Sequence, residues 1–101
     1  MIDLRPDQLA LVKNILHEHL PHLEVWVFGS RINGTAKPHS DLDLVAKTNK
    51  PLSLSKIGDV KAAFAESDLA IRVDLMDWSR ISDDFKKIIQ EKYEVVQESI
   101  L

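Results

Sequence analysis

The chain contains no cysteine, which excludes disulfides and any thiolate zinc site. No stretch approaches the roughly 20 apolar residues of a membrane span. The opening MIDLRPDQLA lacks the apolar core of a signal peptide. The expectation from these absences is a cytoplasmic protein with no membrane partner. A basic excess is missing as well: 13 lysines and arginines face 16 acidic residues, for a formal charge of −3. That balance argues against direct DNA or RNA binding, whose footprint is a basic patch. It does not exclude nucleotides held through metal ions. Three glycines and four prolines compose no linker, repeat or low-complexity segment.

What is present is ordinary globular material, 45% apolar and 29% charged over 101 residues. This is the size of one domain, expected to span 1–101 and to bury roughly 60–70% of the surface of its unfolded form. An enzyme this small has to take part of its substrate site from elsewhere.

Pro6 suits the first turn of a helix, and Leu9, Val12, Ile15, Leu16 and Leu20 follow at helical spacing up to Pro21, which predicts a helix over 6–19. Residues 24–28, EVWVF, are β-branched and aromatic and stop at Gly-Ser, which predicts a strand. A single helical turn over 30–34 and a loop over 35–40, TAKPHS, lead into a second strand over 41–46, DLDLVA. Leu54, Ile57, Val60 and Phe64 predict a helix near 53–66, which Gly58 weakens. Residues 70–76, AIRVDLM, read as a third strand, and Ser82 caps a last helix with Phe85, Ile88 and Ile89 on its apolar stripe. Residues 94–97 either extend that helix or form a short final strand. The fold class is therefore α/β (α+β), a small mixed sheet of three or four strands with helices packed on one face.

Side chains alternate along a strand. Leu42, Leu44, Val73 and Leu75 then face the helices, and Asp41, Asp43 and Asp74 gather on the opposite, uncovered face. Three such carboxylates repel one another unless divalent cations sit among them. Mg²⁺ takes oxygen ligands, keeps waters, and binds through one or two carboxylates plus substrate phosphates. A carboxylate pair at alternate positions with a third on the neighbouring strand follows the logic of two-metal phosphoryl transfer. Gly29-Ser30, where a strand meets a helical turn, offers backbone N–H groups and a hydroxyl to an anion.

Gly29-Ser30, ten intervening residues, Asp41-Leu42-Asp43 and an isolated Asp74 within Val73-Asp74-Leu75 together resemble the signature of the polymerase-beta-like nucleotidyltransferase superfamily. Gly29-Ser30-Arg31 with Gly34, then Ser40-Asp41-Leu42-Asp43-Leu44, narrows the resemblance to the minimal nucleotidyltransferases (MNT type), over nearly the whole chain. The resemblance implies a nucleotidyltransferase fold, a nucleoside triphosphate donor, ATP by family habit, and two Mg²⁺ ions. By position it implies that Asp41 and Asp43 hold metal. Asp74 would complete the catalytic metal site and help deprotonate an attacking hydroxyl. Gly29 and Ser30 would contact the β- and γ-phosphates, and Arg31 and Ser40 would help neutralise charge. Minimal members often sit beside a small helical HEPN-type partner. In such toxin–antitoxin pairs the nucleotidyltransferase is the antitoxin and adenylylates a tyrosine of the toxin. The alternative is a non-catalytic antitoxin or binding module that neutralises its partner by contact alone. Homo- or hetero-oligomers are compatible with both.

Other residues carry more ordinary expectations. Lys37 reads as a solvated lysine, and Arg72 as either a salt bridge or a nucleotide contact. His17, His19, His22 and His39 do not converge at zinc-ligand spacing. Trp26, Phe28 and Tyr93 read as packing aromatics.

Overall fold

The computed structural model describes residues 1–99. Its elements run α1 (Pro6–His19), β1 (Val25–Phe28), α2 (Ser30–Asn33), β2 (Leu42–Ala46), α3 (Leu54–Glu66), β3 (Val73–Asp77), a 3₁₀ turn at Trp78–Arg80, α4 (Asp83–Glu91) and β4 (Glu94–Gln97). The strands form one mixed sheet in the order β3-β2-β1-β4. β1 is antiparallel to both β2 and β4, whereas β2 and β3 are parallel. Residues 94–97 are thus a strand, and the sheet has four. No helix among the described residues is long and apolar enough to cross a membrane.

Local chemistry sets the helix starts. Pro6 occupies the first turn of α1, and the Arg5 N–H ahead of it donates to Gln8 Oε1 at 3.0 Å. The hydroxyl oxygens of Ser53 and Ser82 accept from the N–H groups of Lys56 and Phe85 at 3.0 and 3.2 Å, capping α3 and α4. The start of β3 lies three residues later than the apolar pattern from Ala70 suggests. Its partner β2 begins only at Leu42, paired with Val73, so residues 70–72 have no strand beside them. Ile71 contributes to the core from outside the ladder.

Alternation in β1 and β2 sorts side chains to two faces. Val25, Val27, Leu42, Leu44, Ala46, Leu75 and Val96 pack beneath Val12 and Leu16 of α1 and Val60 and Phe64 of α3. The other face carries Trp26, Phe28 and Val45, and here the expectation of helices on one face only is corrected. Ile89 of α4 is buried against this second cluster, with Phe85, Trp78 and Met76 around it. The reason is visible in β1, which is apolar at every position and so cannot leave either face wet. Phe28 meets Phe85 edge-on at 5.9 Å, and Trp26 meets Trp78 edge-on at 5.4 Å. Lys47 closes this cluster from above, its ammonium 3.6 Å from the Trp78 ring centre and 4.0 Å from that of Trp26. Cover reaches Val45 of β2 and Met76 of β3 but not the acids on the same face, which keep access to solvent: Asp41 is exposed, Asp43 and Asp74 half-buried.

Candidate active site

Two ladders bring the site together. β1 delivers Phe28 opposite Asp43, and the chain then turns at Gly29. The parallel pair places Asp43 beside Asp74 in the same register. Neighbouring strands lie about 4.8 Å apart, so these two carboxylates project from adjacent points of one face. Asp41 stands just ahead of β2, and its charge is felt at Asp43. The Asp43 carboxyl is held above the usual carboxylate range, by partial burial first and then by the negative charges of Asp74 and Asp41. Asp74 and Asp41 thus lie near enough to Asp43 for their charges to act on it.

Gly29 is where the turn and the acids meet. Its φ of +81° and ψ of −152° lie where only glycine is comfortable. A Cβ built there would overlap Asp43 Oδ2 and come within 3.3 Å of its Cγ. The missing side chain lets the Asp43 carboxylate sit directly against the backbone at the start of α2. Ser30 follows as the first residue of α2, half-buried, and Gly34 ends that turn with φ +79°.

Ser40 and Arg31 are placed differently from Gly29 and Ser30. The Ser40 hydroxyl accepts from the Lys37 N–H at 2.8 Å, and the Ser40 N–H donates to the Lys37 carbonyl at 3.0 Å, which closes a turn just ahead of Asp41. Arg31 is 6% exposed. Its Nη1 donates to the carbonyl of Asp3 at 3.0 Å, and its Nη2 to those of Ser40, Lys37 and Pro38 at 2.9, 3.3 and 3.4 Å. The guanidinium, expected to help neutralise charge, is turned into the loop with Nη1 and Nη2 on main-chain oxygens.

All three grouped acids offer oxygen donors only. Among the described residues, no three histidine, cysteine or acidic side chains converge closely enough to hold a metal ion by themselves. An open set of this kind suits a hard cation that arrives with waters and phosphate oxygens of its own.

Sequence reasoning overlooked one further acid. Asp77 ends β3 three residues after Asp74, which turns it to the opposite face. It is 6% exposed and fully engaged. Its carboxylate accepts from the Thr48 hydroxyl, from the Leu52 N–H at 2.7 Å, and from the Ser79 N–H and hydroxyl at 3.0 and 2.6 Å. Burial works against its charge, but these hydrogen bonds win and hold its carboxyl below the usual range. The signal was Asp77-Trp78-Ser79, an acid two residues before a serine at the start of a short helical turn. Asp77 braces the loop after β2 and takes no part in the acid group.

A nucleotidyltransferase domain model matches residues 9–96. The Haemophilus influenzae protein named "Probable protein adenylyltransferase MntA" is 47% identical over 97 residues, covering 96% of this chain and 85% of that protein. A crystal structure of a toxin–antitoxin with AMP-PNP superposes with a TM-score of 0.76 at 22% identity, covering 90% of this chain and 73% of the other. A tri-AMPylated Shewanella oneidensis HEPN toxin in complex with MNT antitoxin gives a TM-score of 0.64 at 20% identity, over 90% and 73% of the two chains. At these identities, the two solved structures show a shared fold.

Proposed function

Because this chain belongs to the nucleotidyltransferase domain family, we propose that it transfers AMP from ATP to a tyrosine hydroxyl of a small helical HEPN-type partner. It would act as the antitoxin of a toxin–antitoxin pair, as one cytoplasmic domain over 1–101. The observation that carries this reading is the contact between the two halves of the motif, the Gly29 turn lying directly against the Asp43 carboxylate beside Asp74. The names of the relatives support the acceptor class.

In this reading Asp41 and Asp43 hold Mg²⁺, with Asp74 completing one of two metal positions. Burial first, and then the charges of Asp74 and Asp41, raise the Asp43 carboxyl, and a bound cation would offset that repulsion. The bound ions would neutralise the phosphates and lower the pKa of the attacking hydroxyl. Gly29 and Ser30 hold the β- and γ-phosphates through main-chain N–H groups and the serine hydroxyl. The acceptor oxygen forms its bond to the α-phosphorus, the bond to the bridging oxygen breaks, and pyrophosphate leaves. Asp74 takes the proton of the acceptor. A partner chain supplies the acceptor, in keeping with the tri-AMPylated HEPN toxin found in complex with an MNT antitoxin.

Mixing the protein with its partner, ATP and Mg²⁺ and weighing both by intact-protein mass spectrometry tests this. One or more AMP units should appear on the partner, and none with Asp41→Asn/Asp43→Asn. A complex that forms equally with the double variant and neutralises the partner without any mass gain would replace this reading with a contact antitoxin.

A further inference from the structure

We propose that Arg31 is a positioning residue, one that fixes the loop ahead of Asp41 by gathering its main-chain carbonyls. The proposal rests on the functional reading above, in which Asp41 is a metal ligand.

The loop over 35–40 contains a proline, is largely exposed and forms no ladder. Loops of this composition are ordinarily mobile. Yet this one must present Asp41 at one fixed place. The turn bond from Ser40 to Lys37 closes its end but ties it to nothing else. The sheet takes hold only at Leu42, whose N–H donates to the Arg72 carbonyl at 2.8 Å. Between those points the anchor is Arg31. Its Nη2 faces the carbonyls of Lys37, Pro38 and Ser40, the last immediately before Asp41.

Arg31 is itself held from behind. The Asp3 N–H donates to the Arg31 carbonyl at 2.8 Å, while Arg31 Nη1 donates to the Asp3 carbonyl at 3.0 Å. This reciprocal pair clamps the segment before α1 onto α2. One planar side chain therefore links three pieces: the segment before α1, the helical turn that carries Ser30, and the loop that delivers Asp41. A guanidinium suits the task because it carries five N–H donors in a rigid fork, which a lysine ammonium cannot reproduce. A phosphate ligand would be expected to point its donors into open space, whereas this one is buried with Nη1 and Nη2 on main-chain oxygens, leaving Nε as its buried donor without a partner.

The test compares wild type with Arg31→Met and Arg31→Lys by amide hydrogen exchange, without nucleotide, and by titrating ATP binding with Mg²⁺. In both variants the Lys37 and Ser40 amides should exchange faster than in wild type, while those of α1 and β1 keep their protection. The expected acceleration is about tenfold, the factor for losing one charge-assisted hydrogen bond that holds the loop closed. The Mg²⁺ concentration that half-saturates ATP binding should rise in step, with lysine restoring little. If Arg31→Met fails to fold, Arg31→Lys carries the comparison alone. Unchanged loop exchange, with ATP binding weakened in Arg31→Met and restored by lysine, would overturn the proposal in favour of direct phosphate contact. Wild type that binds no ATP with Mg²⁺ overturns the functional reading instead, and the nucleotide-free exchange data separate the two failures.

Discussion

Replacing Gly29 by alanine probes two costs at once. The first is conformational: φ of +81° with ψ of −152° is closed to a residue with a Cβ, at a strain of about 1–3 kcal/mol. The second is steric. The new methyl overlaps Asp43 Oδ2 and presses on Cγ at 3.3 Å, so Asp43 must leave its rotamer, at about 0.5–1.5 kcal/mol. The sum is a loss of roughly 1.5–4.5 kcal/mol in urea unfolding, and each kcal/mol lowers Tm by about 4–8 °C in a domain of this size. Gly34→Ala is the control. Its φ of +79° with ψ of 15° is left-handed helical, nothing lies within 4 Å of a Cβ, and it should cost only about 1–2 kcal/mol. In an Asp43→Ala background the steric part vanishes. The double variant should therefore be more stable than the sum of the singles by about 0.5–1.5 kcal/mol. Additive costs, or Gly29→Ala no worse than Gly34→Ala, would refute the claim that the turn and the second acid touch.

Two further outcomes follow from the acids. Asp43→Asn should reduce AMP transfer to background yet raise Tm at neutral pH, because the Asp43 carboxyl is raised by burial and by Asp74 and Asp41. A raised acid binds its proton more tightly when folded. Wild type thus loses stability relative to the variant as pH climbs from the ordinary carboxylate value through the raised one, and the two converge in acid; thermal melts across that range measure it. Asp77 behaves oppositely. Its lowered carboxyl contributes stability above the ordinary value that is lost as pH falls through the lowered one. Asp77→Ala, which strands the Leu52 and Ser79 N–H donors, should cost about 3 kcal/mol in urea unfolding at neutral pH.

Much of this fold was legible because periodicity and punctuation agree. Pro6 and the apolar spacing after it bound α1, and the serine caps bound α3 and α4. Alternation in DLDLVA and RVDLM sent the acids to one face before any pairing was known, and the parallel register set Asp43 beside Asp74. What escaped depended on neighbours distant in sequence. Nothing local in FKKII says which side of the sheet α4 will cover; the aromatics of β1 decide it. Nothing in Gly-Ser-Arg says that Arg31 turns inward, since its acceptors are main-chain oxygens common to every residue. The brace at Asp77 needed Thr48 and Leu52, partners 29 and 25 residues away.

The interleaving of core and acid positions along β2 has a consequence for how this protein tolerates change. Leu42, Leu44 and Ala46 are buried on one side, while Asp43 and Val45 serve the other. β2 is also paired on both edges, to β1 and to β3. Deleting one residue within it would not weaken the site by degrees. Every side chain beyond the deletion would change face, sending an aspartate into the apolar layer and a leucine to the side of the acids. Point substitutions can tune this strand, but insertions and deletions are confined to the loops that flank it.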